Sequence, residues 1–129
     1  NALTMRAGYV LISELERRRN EVYPYLDSLG EEFMKKLEEV FNDYNVEALV
    51  TGISSMIGFH FTRAKKLDPE EISKYRDAEL MAKCHRHMLN NKIVYLSQQS
   101  PHLFISIAHT REDVEDFIRA MEEFLKNIK

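Results

Sequence analysis

Strand-forming sequence is scarce in this chain and is enclosed by helical sequence, and that imbalance limits the folds open to it. Two runs rich in β-branched and aromatic residues, "EALVTG" (47–52) and "SSMIGFHFT" (54–62), are split near Gly52-Ile53-Ser54 and read as the strands of one hairpin. Two shorter runs, "IVYL" (93–96) and "LFISIA" (103–108), read as further strands. Sheets this small need an apolar cover, and the flanking sequence offers one.

That cover has helical period. Leu26, Leu29, Phe33, Leu37, Val40, Phe41 and Tyr44 form one apolar stripe over residues 25–44. Gly30 lies inside it, at a cost of about 1 kcal/mol relative to alanine. A third helix is predicted from Pro69 to about Asn90, opened by an Asp68 N-cap, with Ile72, Tyr75, Leu80, Met81, Cys84 and Met88 facing inward. In a last helix, Val114, Phe117, Ile118, Met121, Leu125 and Ile128 give the cleanest stripe, and Thr110 with Asp113 forms a close relative of the capping box. Ahead of these, residues 3–19 read as a helix through Leu3, Ala7, Val10, Leu11 and Leu15, with small Thr4 and Gly8 one turn apart. A joint is expected at Glu21–Pro24, with Pro24 in a first helical turn. The order ααββαββα predicts an α+β fold: a two-layer sandwich whose small, mostly antiparallel sheet of three or four strands is covered on one face by helices. The leading helix has no obvious place in that sandwich and is expected to pack on something else.

A chain of 129 residues supports one core. Its net charge of −3 lacks the concentrated basic field that nucleic acid or an anionic membrane requires. The run Arg17-Arg18-Arg19 is accounted for by a helix C-terminus, where cations are favoured. A single cysteine rules out an intrachain disulfide.

Candidate chemistry is thin. Cys84 and His87 in "KCHRHML" share a helical face while His85 points away, and no second ligand pair stands at zinc spacing. Cys84 lies on the apolar side of its helix, where a thiol is inert. His60 alternates with Phe59 and Phe61 and therefore points to the opposite face, as a solvated or inter-domain histidine. No glycine-rich phosphate loop is present, since the four glycines are scattered. Capping alone explains Thr110, and His109 is a junction residue. These residues define no self-sufficient active site, no catalytic or cofactor-binding residue and no metal centre.

Several stretches together resemble the class III pyridoxal-phosphate (PLP) aminotransferases. "NALTMRAG" is similar to that family's "N-P-L-T-M-A-A-G" helix start, "SLGEEFMKKLEEVF" to its "L-G-x-x-L-x-x-G-L" helix, and "GISSMIGFHFT" to a glycine-serine-methionine strand pair in its aminomutase branch. "VYLSQQS" followed by "LFISIAHTREDVEDFI" is similar to the end of those aminomutases. The resemblance runs in order over the whole chain. It implies that residues 1–20 are the last helix of a large PLP domain and that residues 21–129 are the C-terminal small, or lid, domain. It also implies PLP as cofactor of the full-length enzyme, not bound by this chain, with the Schiff-base lysine upstream of Asn1. The implied partners are the chain's own large domain, a homodimer partner and a small amino-acid-like substrate, in the cytoplasm. Ser97, Gln98, Gln99 and Ser106 would line the substrate cleft. Residues 103–108 lack the arginine that many of these transaminases carry for the substrate carboxylate, which leans toward the aminomutase branch. Against that, Ser100-Pro101-His102 replaces a phenylalanine-glutamate pair of that branch. Without a large-domain partner, the chain is expected to self-associate through residues 1–15 or to fray there. Another class III transaminase or a PLP amino-acid racemase on the same scaffold, or a free-standing α+β interaction module docking through its first helix, stays open as the alternative.

Overall fold

A computed structural model describes residues 1–65, 67–96 and 101–128. Five helices and three strands follow in the order α1 (Ala2–Arg17), α2 (Arg19–Asp43), β1 (Ala48–Ile53), β2 (Met56–Phe61), α3 (Pro69–Tyr75), α4 (Ala78–Asn90), β3 (His102–Phe104) and α5 (Arg111–Lys126). The strands form one antiparallel sheet in the order β1-β2-β3, with Val50 opposite Phe59 and Gly58 opposite His102. Helices α2, α4 and α5 cover one face of it, as the α+β reading requires.

The alternation of β2 creates the core. Ile57, Phe59 and Phe61 point toward the helices and are at most 3% exposed. Phe59 is fully buried, with the rings of Phe41, Phe61, Tyr95 and Phe117 5.7–6.3 Å away between centroids. From α2, Leu29, Phe33, Leu37, Val40 and Phe41 enter this cluster; from α5, Val114, Phe117, Ile118, Met121, Phe124 and Leu125. Both stripes are where the helical period places them. Charge stitches the same two helices together at the surface. Glu32 on α2 takes Arg111 (2.8 Å) and Lys36, and Lys36 also pairs with Glu115 on α5. The guanidinium of Arg111, and after it the Lys36 ammonium, hold the Glu32 carboxyl below its usual range.

Helix α1 stands apart. It buries no residue, and Leu3, Met5, Tyr9, Val10, Leu11 and Ile12 are all more than half exposed. Nothing lies within 4 Å of where a Gly8 side chain would begin. A helix with apolar residues this widely distributed around its axis has the composition of one buried on several sides.

Four expected boundaries are corrected. The joint is a single residue, Arg18 (φ −105°, ψ 17°), and α2 runs through Glu21–Pro24. Arg18 N still donates to Glu14 O and Val22 N to Arg18 O, so the hydrogen-bond ladder barely breaks. Pro24 therefore sits in the second turn, on an exposed face where its missing N–H is tolerated. The third helix is two helices. Arg76 is extended and bridges Thr62, Asp77 N donates to Phe61 O, and the Asp77 carboxylate accepts Leu80 N at 2.8 Å to cap α4. Breaking there leaves Tyr75 45% exposed instead of inward.

The other two corrections concern strands. "IVYL" forms no strand. Lys92 takes a left-handed conformation (φ 64°), Ile93 N closes back on Met88 O, and only Leu96 bridges to His102. Tyr95 is spent as a core plug against Phe59 and Phe117. "LFISIA" yields only the end of β3, because residues 106–109 fold into a turn.

Candidate functional site

The turn that ends β3 is held by side chains of its own sequence. Ser106 N donates to His109 Nδ1 (3.0 Å), Ser106 Oγ lies 3.1 Å from the same nitrogen, and His109 N donates to Ser106 O. Accepting the Ser106 amide requires Nδ1 to be unprotonated, so the neutral ring carries its hydrogen on Nε2. From α2, Tyr25 Oη donates to His109 O at 2.6 Å and fixes the turn to the helical layer. Thr110 then opens α5 with a full capping box: Thr110 Oγ1 accepts Asp113 N and Thr110 N donates to Asp113 Oδ2. The Thr110 amide, followed by its hydroxyl, draws the Asp113 carboxyl below its usual range. Thr110→Ala is expected to cost about 1 kcal/mol, read as a lower urea midpoint at unchanged slope.

Beside this turn, residues 93–96, β3 and α5 enclose a groove of about 940 Å³. Its floor includes Phe33, Tyr95, Leu103 and Phe117, and its rim His102, His109 and Asp113. Tyr95 is 7% exposed, and its hydroxyl faces the Cys84 sulfur without forming a proper hydrogen bond. Burial raises both groups, the Cys84 thiol to about 12, so this sulfur is no nucleophile at neutral pH. His85 packs its ring on Tyr95, while His87 turns toward Asn91 and Glu123. These neighbours do not converge, and among the described residues no group of three or more His, Cys, Asp or Glu is placed to hold a metal ion.

Of the four residues expected to line a cleft, Ser97, Gln98 and Gln99 lie outside the described residues. Ser106 is exposed and committed to the His109 turn. On the opposite face of the sheet Gly58 is buried, while Ile53, Met56 and Phe104 are more than half exposed. There His60 is half-buried, with Nε2 3.5 Å from Thr51 Oγ1. Burial, then the positive charge of Arg76 and then His102, lowers its affinity for a proton. The Thr51–His60–His102 grouping escapes sequence reading because it depends on strand register.

Among the described residues, the lysines held in ion pairs do not fit a PLP-holding site. A Schiff-base lysine must be deprotonated to attack, which requires a lowered pKa. Lys36 is instead raised by its Glu115 and Glu32 partners. Lys35, Lys83 and Lys126 are exposed and paired to glutamates one helical turn away.

The fold is that of part of an aminotransferase. A β-phenylalanine aminotransferase from Variovorax paradoxus matches 79% of this chain with 23% of its own (TM-score 0.70, 24% identity). A glutamate-1-semialdehyde aminomutase from Pseudomonas aeruginosa matches 84% with 24% of its own (TM-score 0.74, 19% identity). The sequence narrows the relationship: glutamate-1-semialdehyde 2,1-aminomutase 2 from Lachnoclostridium phytofermentans is 33% identical over 126 residues, 98% of this chain. The chain is thus homologous along its length to part of the glutamate-1-semialdehyde 2,1-aminomutases, within the class III aminotransferase family. It spans about 29% of the length of the curated relatives it matches. No family model matches it. Among the described residues, no helix is long and apolar enough to cross a membrane.

Proposed function

We propose that this chain is the C-terminal small domain of a PLP-dependent enzyme of the glutamate-1-semialdehyde aminomutase type, entered through the last helix of a large domain at residues 1–20. The observation that carries the reading is the uncovered α1. A helix that buries nothing, with Leu3, Val10 and Leu11 more than half exposed, is stable in water only against a further body. Relatives more than three times this length supply such a body. The same exposure underlies the expected self-association of residues 1–15 in the isolated chain. In this reading the substrate is a small amino-acid-like molecule, the enzyme is a cytoplasmic homodimer, and its product feeds tetrapyrrole synthesis.

PLP, when bound by such an enzyme, supplies the electron sink for moving an amino group. This chain's part is geometric. Residues 97–99, Ser106 and the β3 turn wall the cleft, exclude water and limit how a substrate can lie. The Ser106–His109 and Tyr25–His109 bonds hold the β3 turn to the helical layer.

The isolated chain is expected to bind no PLP. Mixed with excess PLP and filtered, it should retain no stoichiometric PLP–lysine absorbance and show no aminotransfer. A stoichiometric, saturable adduct on one lysine would overturn the assignment. A second, independent check is the gene upstream of Asn1: a domain carrying the PLP lysine supports the reading, and a start codon at that point contradicts it.

A further inference from the structure

We propose that the turn after β3 is a pH-sensitive latch, closed by the neutral His109 ring and opened when that ring takes a proton. The latch is one bond: Ser106 N donates to His109 Nδ1 at 3.0 Å. A ring nitrogen accepts an amide only while it carries no proton, and an imidazolium has a hydrogen on both nitrogens. Protonation therefore sets two donors against each other, the Ser106 N–H and the Nδ1–H, and the amide bond is lost. Histidine is the side chain whose ordinary titration falls between pH 5 and 8, so mild acid is enough to reach this change. The closed turn is accordingly present at the higher pH and is lost as pH falls through the titration of the ring.

Fixed points on either side confine the opening. Before the turn, Ile105 N donates to Ser55 O at 3.0 Å. After it, Tyr25 Oη donates to His109 O at 2.6 Å, a main-chain contact that a charge on the ring does not remove. The capping box of Thr110 and Asp113 holds the residues that follow. Ser106, Ile107 and Ala108 lie between these anchors, and all three are exposed. The Ser106 hydroxyl is a second neighbour of the ring, 3.1 Å from Nδ1, and it accepts Ala108 N at 3.3 Å. A hydroxyl donates to a neutral Nδ1 or accepts from a protonated one, so it selects neither state. The amide, which only donates, is the group that does.

The charges around His109 set how readily the ring is protonated. On α5, the Thr110 amide and hydroxyl lower the Asp113 carboxyl first, and a positive charge on His109 lowers it further. That coupling is reciprocal, so ionised Asp113 favours the imidazolium. Asp116 and Glu123 line the same groove, but Asp116 is paired with Arg119 and Glu123 faces His87. Lys92, from the segment after α4, brings a positive charge to the groove and opposes protonation, and on β3 the His102 ring packs on Phe104. From α2 comes the neutral Tyr25 hydroxyl, while Glu32 is bound to Arg111 and Lys36. The inference does not rest on the functional reading above. PLP binding by the isolated chain would overturn that reading and leave the latch standing.

The test is NMR on the isotope-labelled chain between about pH 8 and about pH 5. A nitrogen–nitrogen coupling through the hydrogen bond, from the Ser106 amide to His109 Nδ1, is expected at the upper end and absent at the lower. The Ser106 amide signal should move with the midpoint of the His109 ring. Its protection from exchange, referred to an unfolded chain at each pH, should fall about fivefold, the weight of one amide hydrogen bond. The Asp113 amide, held in the cap, should keep its protection throughout. His109→Asn offers the same amide a side-chain oxygen that takes no proton, so Ser106 should stay protected at both ends. Asp113→Asn keeps an acceptor for Thr110 without the charge and should lower the His109 midpoint by about 0.3 pH unit. No coupling at the upper end, or a Ser106 amide indifferent to the titration of the ring, would overturn the latch, as would an equal loss of protection in His109→Asn. An unchanged midpoint in Asp113→Asn would remove Asp113 from it.

Discussion

Phe59→Ala is expected to cost 3–5 kcal/mol, roughly the upper end for a single core truncation. Phe59 is fully buried at the centre of the sheet's covered face, where rings from four different elements meet it: Phe41 from α2, Phe61 from β2, Phe117 from α5, and Tyr95 from the segment after α4. Truncation loses both the transfer energy of the ring and the contacts of its neighbours, because elements pinned on four sides cannot collapse into the space. Two features deepen the loss. Val50 lies opposite Phe59 in the ladder and is only half-buried, so it cannot swing inward without breaking register. Tyr95, already carrying a hydroxyl with no proper hydrogen bond, would be left beside a void. The measurement is urea unfolding followed by circular dichroism. Against a total stability of order 5–15 kcal/mol, the variant should unfold at a much lower midpoint or be partly unfolded without denaturant. A loss below about 1.5 kcal/mol would mean that the cluster repacks and that Phe59 is not its centre. Phe59→Leu, which keeps most of the volume, should lose less than half as much.

How much of this was legible in the sequence follows from how local each signal is. The stripes of α2 and α5 were readable because helical period is written into adjacent turns, and the residues predicted to face inward do so, apart from partly exposed Leu26, Tyr44 and Ile128. The Thr110–Asp113 cap was readable for the same reason: both partners lie within one turn. Where local and tertiary signals competed, reading failed. Nothing between Arg17 and Asn20 punctuates the chain, so a one-residue break at Arg18 left no trace and the joint was expected at Pro24, which the helix tolerates on its exposed side. Asp77 was a usable N-cap signal inside the predicted third helix; what makes it decisive is Asp77 N donating to Phe61 O, a contact sixteen residues distant. "IVYL" has strand composition, yet Tyr95 gains more by plugging the core than Ile93–Leu96 would by forming a ladder. The functional groups divide the same way. The exclusion of Cys84 and the outward face of His60 followed from period alone. The Ser106–His109 turn and the Thr51–Gly58–His102 row required knowing which strand ends where and in what register.

Gly30→Ala should destabilise the chain by about 2 kcal/mol or more, the reverse of what helix propensity predicts. Seen as sequence, a glycine inside an amphipathic helix is a defect that alanine would repair by about 1 kcal/mol. In the folded chain the position is occupied from outside: a Cβ on Gly30 would stand 1.8 Å from the Ser54 carbonyl oxygen and 2.7 Å from its carbon. The obstacle is backbone, so no rotamer change relieves it. The Ser54-Ser55 turn cannot simply lift away. Ser54 is already held in a left-handed conformation (φ 53°), Ile105 N donates to Ser55 O, and the hairpin on either side is in full register from Ala48–Phe61 to Ile53–Met56. Displacing the turn therefore pulls on β1, β2 and the end of β3 together, a cost of about 3 kcal/mol or more that exceeds the propensity gain. Thermal unfolding should report it as a lowered Tm, accompanied by amide shifts at Ser54, Ser55 and Ile105. Glu31→Ala, one residue away and exposed, is the control and should lie within about 0.5 kcal/mol of the parent. A Tm for Gly30→Ala equal to or above the parent's would show that α2 and the hairpin turn do not touch as described.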